Sequence, residues 1–422
     1  MESDRVIIVG AGHAASEFAG ALRQSRYAGP ILMLGEEPHF PYHRPPLSKA
    51  FLSGEAGPQA LELKPTDSYG RIGVDVRTGV RVGALDRRRS SVSLSDGSRE
   101  PYGKLLLATG GRSRRLAVPG LESDRPLSNV HYLRTIEDAA RLRRQLQPGS
   151  QLVVVGAGYI GLEVAAVARK LGLHVTVLEA QPRVLARVTA PEISSFYSSV
   201  HQGVGVDIRT NTSITAVELD TSGNTVKALR SADGNVFPVD LLIVGVGLVP
   251  NVELAQAAGL EVADGIVVNE FGQTSDPDIL AIGDCCNYPS ELYGRRVRIE
   301  SVPNASAQAR VAAAWVCGRR ETHTAVPWFW SDQYDLKLQI VGLSRDYDHL
   351  VVRGKPEDRS FMAFYLQGRR ILAVDAVNRP AEFMVAKRLV AQKACVSWPD
   401  QLSDESWPLQ NLNRATATSH TG

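Results

Sequence analysis

Hydrophobic residues along this chain follow two rhythms, and each rhythm predicts its own architecture. Before Pro327 they come as short unbroken runs, the signature of strands buried on both faces of a parallel sheet. Val6–Val9 is one such run and Leu152–Val155 another. Each passes through a glycine-rich turn, Gly10-Ala-Gly12-His-Ala14-Ala15 or Gly156-Ala-Gly158-Tyr159-Ile-Gly161, into an alanine-rich stretch that favours helix. Each is followed by a second apolar run, Ile31–Leu34 or Val175–Leu178, with an acid close behind, Glu36 or Glu179. The two copies lie about 146 residues apart. Later runs in the same style include Leu105–Leu107, Leu241–Val244 and Ile279–Ile282. The last of these delivers Asp284 at the carboxyl end of a strand, where open α/β sheets bind ligands. From Pro327 apolar and polar residues alternate instead, as in Leu336–Val341, Leu350–Arg353 and Phe361–Leu366, and a helix is expected from Pro380 to about Gln392. The last ten residues, from Asn413, are polar and read as a disordered tail. The expected fold class is therefore α/β, with two Rossmann-like dinucleotide-binding domains and a C-terminal α+β domain.

The glycines of each turn have separate tasks. The first makes the tight turn, the second lets backbone approach a pyrophosphate, and the third position must be small for helix–strand packing. The helix that follows offers free N–H groups and partial positive charge to the phosphates. One such motif is a weak signal; two copies, each with a strand-ending acid, make a strong one. Glu36 and Glu179 can accept hydrogen bonds from ribose hydroxyls, and an acid at the second site repels a 2′-phosphate, so the second nucleotide should be NADH rather than NADPH.

Composition narrows the classes without naming one. Hydrophobic residues make up 44% and charged residues 22%, which is ordinary for a globular chain. Lys and Arg number 47 against 45 Asp and Glu, a near-balance that argues against a dedicated nucleic-acid binder. The longest apolar region, Leu152–Ala168, is broken by Gly156, Gly158, Gly161 and Glu163, so no membrane span is expected. The start runs straight into a strand and lacks the pattern of a signal peptide. Four cysteines, Cys285, Cys286, Cys317 and Cys395, show neither metal-binding nor secreted-framework spacing, and a cytoplasmic location is the simplest reading.

In order along the chain stand Phe40-Pro-Tyr-His-Arg44-Pro-Pro-Leu-Ser48-Lys49, Leu107-Ala-Thr109-Gly-Gly111, Tyr132-Leu-Arg134-Thr135, Gly245-Val-Gly-Leu-Val-Pro-Asn251, Ile282-Gly-Asp284-Cys285, Ile299-Glu-Ser-Val302-Pro-Asn304 and Pro327-Trp-Phe-Trp330-Ser-Asp-Gln. With the two glycine motifs, this series resembles the glutathione-reductase-like flavoproteins and, within them, the putidaredoxin reductase family of NADH-dependent reductases of [2Fe–2S] ferredoxins. The resemblance runs from Val6 to about Pro408. It implies a split FAD domain (1–112 and 244–322), an NAD domain (113–243), an interface domain (323–412) and a tail (413–422). One departure matters: the disulfide reductases of this class carry a redox cysteine pair where Pro41–Phe51 has none. A dithiol relay is therefore not expected, and adjacent Cys285 and Cys286 read as small buried thiols.

The resemblance also implies roles. Gly10, Gly12, Ala14 and Ala15 would meet the FAD pyrophosphate, Glu36 the adenosine ribose, Val82 the adenine, Arg134 the phosphate charge and Asp284 the ribityl hydroxyls. Val302 would begin a helix, with Pro303 in its first turn, whose positive end faces the flavin pyrimidine. Gly156, Gly158, Gly161 and Glu179 would hold NADH. Lys49 would lie near flavin N5 and pair with Glu163, tuning charge rather than abstracting a proton. Tyr159 would cover the flavin until nicotinamide displaces it, and Trp330 would border the ring on the partner side. Taken alone, Lys49 reads as a surface lysine, and Tyr159 and Trp330 as core aromatics. Arg310 and Lys337, with Arg298, could meet an acidic ferredoxin, although a charged helix face is usually only solvated. Arg87–Arg89 and Arg141, Arg143 and Arg144 read as solvated surface. The implied activity is hydride transfer from NADH to FAD and single-electron delivery to a [2Fe–2S] ferredoxin serving a haem-thiolate monooxygenase, in a monomer. Alternatives are a reductase for a ring-hydroxylating dioxygenase, an NADH oxidase, an NADH-gated signalling flavoprotein similar to apoptosis-inducing factor, and a non-flavin NAD-binding module.

Overall fold

The computed structural model describes residues 4–121 and 127–412; the tail expected from Asn413 lies outside them. The chain gathers into two compact units. Among the described residues, the first takes 4–43, 59–112 and 249–329, and the second takes 44–58, 113–121, 127–248 and 330–412.

Each unit contains a five-stranded parallel sheet, and the two sheets are laid out alike. In the first unit the order is Ile279–Ala281, Lys104–Leu107, Val6–Val9, Ile31–Leu34, Val74–Arg77. In the second it is Val130–His131, Leu241–Val244, Gln151–Val155, His174–Leu178, Asp207–Arg209. The strand that leads into each glycine turn is central. The chain builds to one side of it and later returns to the other, which places the turn at the switch point where such sheets bind ligands. Burial on both faces explains the unbroken apolar runs: all four residues of Val6–Val9, Ile31–Leu34 and Leu241–Val244 are buried. Each unit also carries a three-stranded antiparallel sheet that the sequence pattern did not single out, Val82–Asp86 with Ser91–Leu94 and Arg99–Pro101, and Ile214–Leu219 with Val226–Ser231 and Val236–Pro238.

In the first unit the His13–Gln24 helix packs with the Val302–Val316 helix in one core with the sheet. Ala305, Ala309, Ala312 and Ala313 recur at helical spacing and are buried, and Ala14, Ala15 and Ala19 face the same core. Small side chains permit close backbone approach here, and Phe18, Met33 and Leu106 fill the space between helix and sheet. Arg87, Arg88 and Arg89 are exposed, as expected, and the Arg87 guanidinium pairs with Asp276 at 2.7 Å. Among the described residues, no helix is long and apolar enough to cross a membrane.

The alternating segment forms a five-stranded sheet of order Trp328–Gln333, Leu336–Gly342, Arg370–Val377, Ser360–Gln367, His349–Lys355, followed by the Pro380–Ala391 helix. Its central strand buries Asp375, 1% exposed. The Tyr365 hydroxyl donates to Asp375 Oδ2 at 2.6 Å and accepts from the Ala190 N–H at 2.9 Å, while Asp375 Oδ1 has no hydrogen-bond partner among the described residues. Burial pushes this carboxyl up to about 7. A folded-state value above the unfolded one means that its favourable contribution is complete in acid and is lost as pH rises toward 7. Asp375→Asn, which keeps an acceptor for Tyr365 and cannot ionise, is expected to raise the melting temperature at pH 8 by about 2–8 °C. Thermal melts at pH 5 should show much less gain.

Candidate functional site

Both glycine turns show the same division of labour. Gly10 has φ +108°, and a Cβ there would stand 2.2 Å from the Ala108 carbonyl oxygen. Gly156, with φ +103°, would place a Cβ 2.5 Å from the Gly245 carbonyl oxygen. In each case that carbonyl follows the neighbouring strand across the switch point, so the first glycine is required twice over, by conformation and by space. At Gly161 a Cβ would meet the Gly156 carbonyl oxygen at 2.1 Å; the first motif carries the fully buried Ala15 at this position. The middle glycines differ. A Cβ on Gly12 or Gly158 would meet nothing within 4 Å. These two positions are the N-caps of the His13–Gln24 and Tyr159–Lys170 helices, and neither has a side-chain cap or an acid in the first turn. The free N–H groups of both helices thus lie beside backbone that a ligand can reach, which fits a bound pyrophosphate at each.

The two acids behave differently. Glu36 is 71% exposed, with Arg81 3.7 Å away. Glu179 is held back on its own glycine turn: Oε2 accepts from the Ala157 N–H at 2.7 Å and Oε1 from the Gln181 N–H at 2.8 Å. Two carboxylate oxygens offer about four acceptor positions, so capacity for ribose hydroxyls remains.

Further along the first unit, Asp284 lies in a single turn of 3-10 helix, Gly283–Cys285, just beyond the edge strand of the sheet. Gly283 there has φ +79°, and its N–H donates to Gln308 Oε1 at 2.7 Å. Gln308 is a buried residue of the Val302–Val316 helix and so ties the Asp284 turn to that helix. Val302 begins the helix, Pro303 lies in its first turn, and the Ser301 hydroxyl accepts from the Asn304 N–H at 3.3 Å. With no acid in that turn, its positive end keeps its full effect. Cys285 and Cys286 are free and buried, and burial pushes both thiols up. Val82 opens the antiparallel strand Val82–Asp86.

In the second unit the structure brings Lys49 and Glu163 together. Lys49 Nζ donates to Glu163 Oε2 at 2.7 Å and to the Pro45 carbonyl at 3.1 Å. Glu163, 2% exposed, also accepts from the Ser48 hydroxyl at 2.5 Å and, on Oε1, from the Ser331 hydroxyl at 2.6 Å. A charge so buried survives because its oxygens are occupied by donors. Ser331 and Gln308 are the contributions that sequence reading missed, although both lie inside segments quoted for their family resemblance or on the helix predicted from Val302. Tyr159 is the first residue of the Tyr159–Lys170 helix, four before Glu163. Burial first, and the charges of Asp375 and Glu163 after it, hold its phenol well above the usual range. Trp330 is half-buried on the strand that also carries Ser331, and adjacent strand residues point to opposite faces. Arg134 is half-buried, and its carbonyl accepts from the Arg44 guanidinium at 2.7 Å.

Arg310, in the first unit, and Lys337, in the second, are both exposed. Arg298 is engaged instead with Asp264 at 3.1 Å and Glu300 at 2.6 Å, and only 12% of its side chain is exposed. It is therefore removed from the set of free surface cations.

Comparison with known proteins agrees with this geometry. Residues 4–309 match the pyridine nucleotide-disulphide oxidoreductase family, and residues 328–413 match the reductase C-terminal family. The chain is 50% identical to putidaredoxin reductase CamA of Pseudomonas putida over 97% of each chain. It is 41% identical to the ferredoxin–NAD(+) reductase component of the anthranilate 1,2-dioxygenase system of Burkholderia cepacia, over 98% of this chain and 100% of that one. Among solved structures, the covalent putidaredoxin reductase–putidaredoxin complex matches with a TM-score of 0.94 and 49% identity, covering 98% of this chain and 99% of that one. With its two glycine turns, its matched parallel sheets and its appended antiparallel sheet, the chain belongs to the pyridine nucleotide-disulphide oxidoreductase family, in the branch that carries the reductase C-terminal domain.

Proposed function

We propose that this protein is an NADH-dependent ferredoxin reductase with FAD as its resident cofactor and a [2Fe–2S] ferredoxin as its electron acceptor. The observation that carries the reading is the pair of open middle glycines, each at a helix N-terminus on the switch point of its own parallel sheet. One chain holding two dinucleotides is built to pass electrons between them. Bound FAD would supply the chemistry of accepting a hydride and releasing its electrons singly. Everything else falls to the protein.

Gly10, Gly12, Ala14 and Ala15 would cradle the FAD pyrophosphate, with Glu36 and Val82 on the adenosine half, Arg134 on phosphate charge and Asp284 on the ribityl chain. The Val302 helix end would favour negative charge on the flavin. Gly156, Gly158 and Gly161 would hold the NADH pyrophosphate, and Glu179 its ribose. Lys49, fixed by Glu163, would set the charge beside the electron-accepting ring, and Tyr159 would yield its place to nicotinamide. Residues 1–112 with 244–322 would form the FAD domain, 113–243 the NAD domain and 323–412 the interface domain, with Trp330, Arg310 and Lys337 on the ferredoxin side. Free cysteines suit a reducing cytoplasm, and the protein would act as a monomer. A haem-thiolate monooxygenase would be the terminal user of the electrons. A dioxygenase system is the second reading, supported by the similarity to the anthranilate dioxygenase component.

Stopped-flow reduction of the yellow holoprotein by NADH, followed by mixing with a [2Fe–2S] ferredoxin, tests the assignment; a colourless protein, or colour that does not bleach, would overturn it. Glu179→Ala is expected to narrow the preference for NADH over NADPH by about tenfold in kcat/KM, since one charged hydrogen-bond acceptor is lost and repulsion of a 2′-phosphate ends. Gly158→Ala should fold normally, given the open space at that position, yet raise KM for NADH. Gly161→Ala, which clashes with backbone, should lower the melting temperature. Lys49→Met is expected to slow flavin reduction about tenfold or more while leaving NADH affinity near its original value.

A further inference from the structure

The Lys49–Glu163 pair is one end of a buried chain of hydrogen bonds whose direction can be read bond by bond. Glu163 Oε1 is a carboxylate oxygen, so the Ser331 hydroxyl donates to it, at 2.6 Å. Ser331 Oγ then accepts from Gln333 Nε2 at 3.1 Å. The remaining amide atom, Gln333 Oε1, can only accept, and it faces His201 Nε2 at 2.9 Å. That nitrogen therefore carries the hydrogen. Burial lowers the pKa of His201, so the ring is neutral and Nδ1 is bare. The Tyr334 hydroxyl lies 2.9 Å from Nδ1 and donates to it. Every donor in the series points toward Glu163. Ser331, Gln333 and His201 are at most 1% exposed, and Tyr334 is half-buried at the far end.

Such a chain is suited to holding rather than conducting. The amide of Gln333 does not readily take up and pass on a proton, so the path is broken at its middle. Its effect is to fix one oxygen of Glu163 from behind, which leaves Oε2 turned toward Ser48 and Lys49. Lys49 has a competing acceptor in the Pro45 carbonyl at 3.1 Å, and the position of its ammonium depends on how firmly Glu163 is held.

We infer that Ser331, Gln333 and His201 are positioning residues that fix Glu163 and, through it, the ammonium of Lys49, so that His201 acts on Lys49 through three intervening side chains. The consequence for electron transfer rests on the role proposed above for Lys49; the anchoring itself does not.

The experiment uses the FAD-loaded full-length protein and two readouts. Brief acetylation with acetic anhydride, quantified at Lys49 by peptide mass spectrometry, reports how tightly the ammonium is held. Equilibrium reduction reports the flavin potential. Ser331→Ala and His201→Leu are expected to speed Lys49 acetylation by about two- to tenfold, the loss that follows one missing hydrogen bond. Ser331→Thr, which keeps the hydroxyl, should restore the original rate. The exposed Lys337 should label at the same rate in all variants. The flavin potential should fall in Ser331→Ala and in Lys49→Met. Unchanged Lys49 acetylation in both Ser331→Ala and His201→Leu would overturn the inference, as would faster labelling of Lys337 alongside Lys49, because that marks general loosening. Faster Lys49 labelling with a potential that does not move even in Lys49→Met would uphold the anchoring and overturn the role of Lys49 at the flavin.

Discussion

The constraint on which both nucleotide sites depend is the approach of two strand ends to within a carbonyl's reach of a turn. At Gly10 and at Gly156 the chain leaves a central strand so close to its neighbour that a single methyl group would overlap the Ala108 or Gly245 carbonyl. The squeeze aims the following helix across the end of the sheet with its N–H groups bare. The parallel layout, the open middle glycine and the unblocked helix end all follow from it. Where a third small residue is needed, alanine suffices in one copy and glycine is required in the other, because at Gly161 the turn's own backbone stands in the way.

The repeat is faithful in its backbone and loose in its side chains. Glu36 reaches outward beside Arg81, whereas Glu179 is folded back on the Ala157 N–H. Under the proposed assignment, Glu36 would offer a free carboxylate to the resident ligand, and Glu179 would offer one preorganised by its own turn to a nucleotide that must come and go. The two copies thus differ in how the carboxylate is tethered as well as in the third small residue of the turn.

Features written into contiguous residues were legible from sequence: the strand–glycine–helix units, the helix beginning at Val302 and the buried adjacent thiols. Burial on both faces leaves an unmistakable apolar run, and turns with positive φ demand glycine. The antiparallel sheets near residues 82–101 and 214–238 were less legible, because strands such as Val82–Asp86 and Ile214–Leu219 are only partly buried and carry neither an unbroken apolar run nor a clean alternation. The family resemblance pointed to Lys49 as a partner of Glu163, but the hydroxyls of Ser48 and Ser331 that complete its shell were not legible. Ser331 lies 168 positions away and Gln333 meets His201 across 132, and hydroxyls and amides have no periodicity to betray them. Arg298 misled for the same reason, since a sequence does not show which arginines are already spoken for.

The Tyr159–Lys170 helix carries two cargoes. Its first turn presents bare N–H groups beside Gly158, and one turn later Glu163 grips the lysine. A rigid helix shifts as a body, so these two properties cannot drift apart under mutation: any change that reseats the helix to suit a new nucleotide also drags the carboxylate. Under the proposed assignment, coenzyme preference would be free to change at the strand end, around Glu179, but constrained along the helix.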